Sequence, residues 1–448
     1  MHHSHEALDR PGGIARVGLL VPLRDPEFRK LWLALCVSLF GDGAFLVAVA
    51  WKVYELSNAP TAMSIVGIAM TVPTITFLLV GGVASDRFSR RTLMVAADLL
   101  RALAGAILAA LALGGVLEVW HVAILAALYG TGAAFFAPAF DAFVPDIVPA
   151  ERLARANALD QLMRPLVLRM AGPAVGGILV AAGGAGLVFA LDSVTFLFSA
   201  AMLLSIRVPA RPAQQGSVSV VRDLAEGWRF VRKRVWLWAT FASAAIAYLC
   251  FMGPVEVLLP YLVKNELDGS AADLGMVFAA GGLGSVACAL AMGQRDMPRR
   301  GITFIYASWT VATLAVAGYG LSSTLWQLMI AAVAFNSLET AGTIVWATMK
   351  QQHVPRAMLG RVSSLDWLIS IGLLPLSFAL TGPVAGAIGT RGTLVAAGIV
   401  GAVVTCAAFF APGMRDIERE AGGSRRSGAR SLADVEAAGA PPGAQRAA

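Results

Sequence analysis

From Val119 to Phe140, and again from Ile302 to Leu321, the chain runs for about 20 residues without one Asp, Glu, Lys or Arg. A helix of that length rises ~1.5 Å per residue and spans the ~30 Å hydrocarbon core of a bilayer. Such runs recur along the whole chain and constrain its fold more than any motif. The 448 residues are 57% hydrophobic and only 14% charged, against ~25% charged in soluble domains. A soluble chain of this length would divide into two or three domains; this one reads as a polytopic membrane protein. Lipid satisfies no backbone group, and no ~10-residue alternating pattern of a barrel occurs, so the expected class is all-α.

Twelve spans are expected. Six lie at Leu31–Trp51, Ala62–Ala84, Leu93–Gly115, Val119–Phe140, Pro165–Ala182 and Gly186–Ile206. Six more follow a polar gap, at Trp236–Leu262, Ala272–Gly293, Ile302–Leu321, Leu325–Ala347, Ser364–Ile388 and Leu394–Gly413. The expected organisation is a cytoplasmic segment over 1–30, a six-helix bundle over 31–206, a linker over 207–235, a second six-helix bundle over 236–413 and a disordered cytoplasmic tail over 414–448. No cleavable signal peptide opens the chain, and the first long apolar run is expected to direct insertion. The His2, His3, His5 cluster reads as part of a solvated tail rather than a metal site.

The net charge of +7 could suggest nucleic acid, but its placement does not. Of 35 Lys and Arg, only Lys52, Lys264 and Arg391 fall in loops after odd-numbered spans. Most others lie in the tails or in loops after even-numbered spans, which is the positive-inside pattern of a multi-pass plasma-membrane protein with both termini cytoplasmic. No nucleic-acid partner is expected. Cys36, Cys250, Cys288 and Cys406 all lie inside apolar runs without CxxC spacing and read as inert buried thiols.

In the linker, Leu224, Trp228, Val231 and Val235 recur at helical spacing, with Arg222, Arg229, Arg232 and Lys233 placed to face away. That pattern predicts a short helix in the inner headgroup layer. The halves on either side carry a faint repeat. "VPAERLARANAL" at Val148–Leu159 aligns with "VPRAMLGRVSSL" at Val354–Leu365, a constant offset of 206 residues that also sets Leu31–Trp32 on Leu237–Trp238. "GPAVG" at Gly172 answers "GPVAG" at Gly382, and Arg90–Arg91 answers Arg299–Arg300. Each half has an even number of expected spans, so two copies would insert with the same orientation, a known transporter plan.

Between the second and third spans stands "GGVASDRFSRR", Gly81–Arg91. Its G-x-x-x-D-R-x-x-R-R core, formed by Gly82, Asp86, Arg87, Arg90 and Arg91, resembles the signature loop of the major facilitator superfamily, with Ala84 for a common Leu and Ser89 for a common Gly. "DLLRAL" at Asp98–Leu103, "PDIVPAERLARANAL" at Pro145–Leu159, "LLPYLV" at Leu258–Val263 and "VPRAMLGRVSSL" look like the branch containing macrolide-efflux and enterobactin-exporter proteins. The resemblance covers residues 25–412. It implies a fold of two parallel six-helix pseudo-repeats, a transporter working as a monomer without a cofactor, and a loop that latches the cytoplasmic ends of the halves together.

The residues support that role on their own terms. Asp86 could sit at a helix N-terminus, where unpaired amides favour an anion, and the arginines could pair with acids or lipid phosphates; the bland alternative is that they only fix topology. Asp98 and Arg101, three apart on one face of the third span, read as an ion pair near the loop. "GPAVGG", with Gly172, Pro173, Gly176 and Gly177, resembles part of an antiporter motif, although Leu168 stands where the motif begins with Gly. Small residues there permit close helix approach, and Pro173 bends the span; packing alone is the competing account.

Acids at membrane depth are costly and point to function. Asp42 lies near the middle of the first span with Ser38 four residues before it. Glu339 lies past the middle of the tenth, flanked by Asn336 and Thr343 on one helical stripe. These two acids are the best candidates for a central polar cavity, with Arg169 as a possible counter-charge; neutral acids that only pack helices are the alternative. Asp192 and Glu256 read as nearer the outer ends of their spans, where solvation explains them as well as a gate. No GxxxxGK[ST] loop, catalytic constellation or metal-ligand spacing occurs, so no enzyme is expected. The expected function is secondary active efflux of amphipathic molecules, drug or siderophore-like, with protons as coupling ion because a carboxyl buried in the membrane can exchange a proton with each side in turn. Uptake of a sugar or amino acid, or a receptor-like role without transport, stand as alternatives.

Overall fold

The computed structural model describes residues 21–207 and 220–419. The His2, His3, His5 cluster, residues 208–219 of the linker and the tail from 420 lie outside the described residues. Among the described residues all regular structure is helical, as the apolar runs require. Helix α1 (Pro26–Leu56) starts where the Asp25 carboxylate accepts hydrogen bonds from the amides of Glu27 (3.0 Å) and Phe28 (3.4 Å). Pro26 follows in the first turn, where a missing amide loses nothing. Helix α2 (Pro60–Arg87) also opens on a proline, and α3 (Arg90–Leu113) is capped by the Ser89 hydroxyl, which accepts from Thr92 N at 3.4 Å. The first half continues with α4 (Val119–Ile147), α5 (Ala150–Arg164), a π-helical turn over Pro165–Ala171, α6 (Gly172–Gly183) and α7 (Ala185–Leu204).

The linker contributes α8 (Val220–Val231). Val231 is buried, Trp228 is exposed, and Glu226 accepts from Arg361 Nη1 at 2.8 Å. The second half comprises α9 (Val235–Tyr261), prolonged by a π-helical turn over Leu262–Glu266, then α10 (Ala271–Gly293), α11 (Gly301–Leu321), α12 (Leu325–His353), α13 (Arg356–Gly372) and α14 (Leu374–Phe409).

Eleven helical segments among the described residues are long and apolar enough to cross a membrane, against the twelve expected. The difference lies at the end of the chain, where the last two expected spans fall within one 52-residue run, Met358–Phe409. That run is broken at Gly389, whose φ of 78° and ψ of 166° are non-helical. Gly184, between α6 and α7, has nearly the same backbone, φ 78° and ψ 167°, in a region that glycine alone occupies without strain.

Within the first half, α2 packs on α4, α3 on α4 and α7, and α1 on α6 and α7. In the second half α10 packs on α12, α11 on α12 and α14, and α9 on α14. Aliphatic side chains such as Ile124, Leu314, Ile330 and Val403 remain exposed on the outer faces, as lipid-facing positions would be. Residues 414–419, expected to belong to a disordered tail, are packed on the second half. Met414 is buried, and Glu418 accepts hydrogen bonds from Thr303 N (2.8 Å) and Thr303 Oγ1 (3.0 Å), tying residues 414–419 to the start of α11. Free amides at a helix start attract a carboxylate, and composition alone gave no view of that partner.

Candidate functional site: a buried ionic network and a seam between the halves

The deepest charges converge inside the first half, where α1, α3, α4 and α7 meet. Arg101 Nη2 donates to Asp98 Oδ1 at 2.5 Å, and Arg101 Nη1 stands 3.8 Å from Asp42 Oδ2. The guanidinium lies over the rings of Phe196 (4.2 Å) and Phe136 (4.7 Å), where cation–π attraction offsets part of its lost hydration. Ser199 donates to the other Asp98 oxygen at 2.6 Å, and the Tyr129 hydroxyl donates to Asp42 Oδ1. Phe45 stacks on Tyr129 at 4.3 Å and fixes the plane of that phenol.

Asp192 is the surprise of this cluster. Instead of solvation near an outer end, it has 0% exposure, and neither of its carboxylate oxygens has a hydrogen-bond partner. It lies beside Gly41 of α1, where a Cβ would fall 2.5 Å from Asp192 Oδ1, and within electrostatic reach of Asp42, Arg101 and Tyr129. Burial is graded across the set: the Asp98 side chain is 0% exposed and Arg101 5%, whereas Asp42 keeps 19%. Three carboxyls thus surround one guanidinium in a low-dielectric interior, with the Tyr129 hydroxyl on Asp42 and near Asp192. Among the described residues no group of acids, histidines and cysteines could hold a metal ion.

The remaining sequence candidates lie elsewhere. Ser38 is buried and donates to Leu35 O at 3.1 Å within its own helix. Glu339, in the second half, accepts from Thr343 Oγ1 at 3.0 Å, and Asn336 donates to Ala332 O at 2.9 Å; neither is brought to Asp42. Arg169 is exposed in the π-helical turn, within electrostatic reach of Glu256 and Tyr248 across the seam. The counter-charge beside Asp42 is Arg101 at 3.8 Å: the π turn does pack on α1, its Leu168 carbonyl meeting Gly43, but the Arg169 side chain is exposed.

At the signature loop, Arg90 Nη1 donates to Ala142 O (2.8 Å) and Asp146 Oδ2 (2.7 Å), and Arg91 Nη1 donates to Ile206 O (2.9 Å). These bonds tie the loop to the ends of α4 and α7 in its own half. Asp98 and Arg101 are not part of the loop; they belong to the buried network. Gly82 has open space around it, and the side chains of Asp86 and Arg87 lie outside the described residues. The placement of Asp86 at a helix N-terminus is corrected for its own loop: α2 runs on to Arg87, so Asp86 lies in a last turn, and Ser89 caps the helix that follows.

The small-residue motif sits at a junction of three helices. A Cβ on Gly172 would lie 2.8 Å from Gly43 Cα, and one on Gly176 2.5 Å from Ala44 Cα, both on α1. Facing the other half, a Cβ on Gly177 would meet Ala271 O at 2.5 Å, and one on Gly275 would meet Pro173 O at 2.5 Å. Backbone approaches backbone on both sides of α6, which only small residues permit.

The halves also meet beyond this junction. Tyr54 donates its hydroxyl to Val257 O at 2.5 Å, its ring packs edge-on to Tyr261 at 5.5 Å, and Lys264 Nζ donates to Tyr54 O at 2.6 Å. Lys264 thereby fills an orphan carbonyl at the C-terminal end of α1. Among the described residues the hydrogen bonds joining the halves lie at this one end. The double variant Tyr54→Phe, Lys264→Ala is expected to loosen it. Spin labels on Ser57→Cys and Asp268→Cys should then report a distance distribution shifted outward; an unchanged distribution would show that helix packing holds the seam without these hydrogen bonds.

Residues 17–434 match the family model described as transmembrane secretion effector. The chain belongs to that family of the major facilitator superfamily. It is therefore a membrane transporter, of a family made up of transporters rather than enzymes. Curated relatives of this secretion-effector chain are efflux proteins. Macrolide efflux protein A of Streptococcus pyogenes is 23% identical over 88% of this chain and 97% of its own length. The multidrug efflux pump Tap of Mycolicibacterium fortuitum is 28% identical over 88% and 98%. The enterobactin exporter EntS of Shigella boydii is 30% identical over 76% and 80%. Among solved structures, the nucleoside transporter NupG superposes with a TM-score of 0.63 at 10% identity, covering 86% of this chain and 98% of its own. A bacterial homologue of the human lysosomal transporter Spinster does so with 0.62 at 16%, covering 89% and 98%. At these identities the two structures speak for the fold.

Tyr129 and the Tyr54–Lys264 contact were not singled out by sequence reasoning, and Asp192 was read only as a solvated acid or an outer gate. Signals for two of them existed. Asp192, Thr195 and Ser199 form one polar stripe on the sixth span, and Lys264 is one of three exceptions to the charge distribution. All three exceptions have partners: Lys52 with Glu55 (3.0 Å), Lys264 with Tyr54 O (2.6 Å), and Arg391 with Glu266 (2.5 Å).

Proposed function

We propose that this transporter expels amphipathic small molecules, of the drug or siderophore kind, by alternating access driven by protons. The observation that carries the reading is the one-sided seam: Tyr54, Val257 and Lys264 close the halves at one end. In this reading that end is the extracellular one, both termini are cytoplasmic as the basic loops require, and the state described is open to the cytoplasm. The substrate binds between the halves, and the molecule works as a monomer. The signature loop, held in place by Arg90 and Arg91, latches the opposite end when the protein turns outward, with Gly82, Asp86 and Arg87 as its other members. Gly172, Pro173, Gly176 and Gly177 form the pivot about which the seam rocks.

Two further features fit this reading. The matching neighbour pattern of the halves and the paired glycines Gly184 and Gly389 support a duplicated six-helix unit. At ~1.5 Å per residue a helix of 52 residues would be more than twice the bilayer core; we read that final run as two crossings, twelve in all, with Gly389 at the turn. Protons as driving ion follow from acids held at membrane depth, with Asp42 and Glu339 as coupling candidates and Ser38, Asn336 and Arg169 beside the path.

In everted vesicles, a labelled macrolide should accumulate when the lumen is acidified, and an uncoupler should release it. Accumulation indifferent to the uncoupler would remove the proton as driver. No accumulation of any macrolide or catecholate siderophore would remove the substrate class.

A further inference from the structure

Asp192 has an unusual position among the buried groups. Its carboxylate is fully buried with both oxygens unpartnered, a state that is strongly unfavourable for an anion. The groups that face it are known from each neighbouring element. Helix α1 brings Asp42, α3 brings Asp98 and Arg101, and α4 brings Tyr129. Arg164, at the end of α5, reaches Asp42 electrostatically. Helix α6 carries no ionisable residue, and those of α2 are confined to its last two positions. One guanidinium cannot neutralise three carboxylates, and Arg101 is already shared by Asp98 at 2.5 Å and Asp42 at 3.8 Å.

The hydrogen-bond directions identify what is missing. The single proton of the Tyr129 hydroxyl is given to Asp42. The phenol oxygen is also within hydrogen-bonding reach of Asp192, but with its one proton given to Asp42 it offers Asp192 only lone pairs, and a carboxylate has no proton to offer them. A carboxylic acid does. We propose that Asp192 is a proton-binding site, with the chain Asp192–Tyr129–Asp42 as its route to water. In the loaded state the Asp192 carboxyl donates to the Tyr129 oxygen, and Asp42, ionised, holds Arg101 and accepts from Tyr129. On release, the phenol takes the Asp192 proton as it hands its own to Asp42, which passes it to water at its 19% exposed face. One proton leaves, one negative charge appears in the cluster, and the phenol is neutral before and after. Gly41 is part of the site, since any side chain there would enter the space of the Asp192 carboxyl.

This rests on the proton-driven reading for its use in transport but not for its existence, and the two can be separated. Purified full-length protein in lipid nanodiscs is followed by difference infrared spectroscopy through a pH titration. Wild type is expected to show a protonated-carboxyl C=O band that vanishes as pH rises, is lost in Asp192→Asn, shifts but persists in Asp192→Glu, and survives in Asp42→Asn. Monodisperse elution of each variant checks folding. A wild type without such a band, a band retained in Asp192→Asn, or one lost only in Asp42→Asn overturns the assignment. So does a band removed by sodium at constant pH, which would make the ligand a metal cation. Macrolide flux indifferent to a pH gradient, with the band intact, would sink proton coupling and leave the site standing.

Discussion

Arg101→Met is expected to destabilise the protein by about 3–5 kcal/mol, the usual cost of removing one partner from a buried ion pair. Methionine roughly keeps the volume between Phe136 and Phe196 but leaves Asp98, 0% exposed, with Ser199 as its hydrogen-bond donor. Asp42 would lose the guanidinium 3.8 Å away and keep Tyr129. Thermal unfolding of detergent-purified protein reads the effect. The double variant Arg101→Met, Asp98→Asn should recover a large part of the loss, because a neutral amide no longer needs the cation. Equal melting of Arg101→Met and wild type would show that the cluster is not ionised in the folded protein.

Asp42→Asn is expected to reduce gradient-driven export at least ~10-fold, equivalent to ~1.4 kcal/mol. Folding should change little. The amide oxygen still accepts from Tyr129, and Arg101 keeps its 2.5 Å bond to Asp98. What is lost is a titratable group at the only partly exposed edge of the cluster. Glu339→Gln is the matched control, since Glu339 accepts from Thr343 at 3.0 Å in the other half and its amide can do the same. Initial rates in vesicles under a fixed pH gradient decide between them. A larger defect in Glu339→Gln than in Asp42→Asn would move the coupling site to the second half.

Much of this arrangement was legible before any coordinates. Runs the length of a bilayer gave helices because a backbone in lipid must satisfy itself. The charge distribution gave the orientation we propose, and the spacing of Asp98 and Arg101 gave the pair that the structure shows at 2.5 Å. The signature loop pointed to the superfamily that the match over residues 17–434 establishes. What failed to carry over were statements about depth and partners. Asp192 read as a solvated acid because its position along a span was counted from uncertain ends. Arg169 read as the counter-charge of Asp42 because both lie several residues inside spans, although different helices carry them to different places.

The sequence by itself determined that the chain folds into helices long and apolar enough to cross a membrane, since that follows from transfer free energies local to each run. The tertiary structure alone decided which buried charges meet. Arg101 joins Asp98 from its own helix, but it reaches Asp42 and lies near Tyr129 and Asp192 only because α4 and α7 pack on α3 and α1 packs on α7. It likewise decided that Gly177 and Gly275 bring two backbones together, while Tyr54 and Lys264 close one end of the seam. Long-range pairing in a bundle depends on helix rotation and crossing, set by side-chain packing over many contacts. No stretch of twenty residues contains that information.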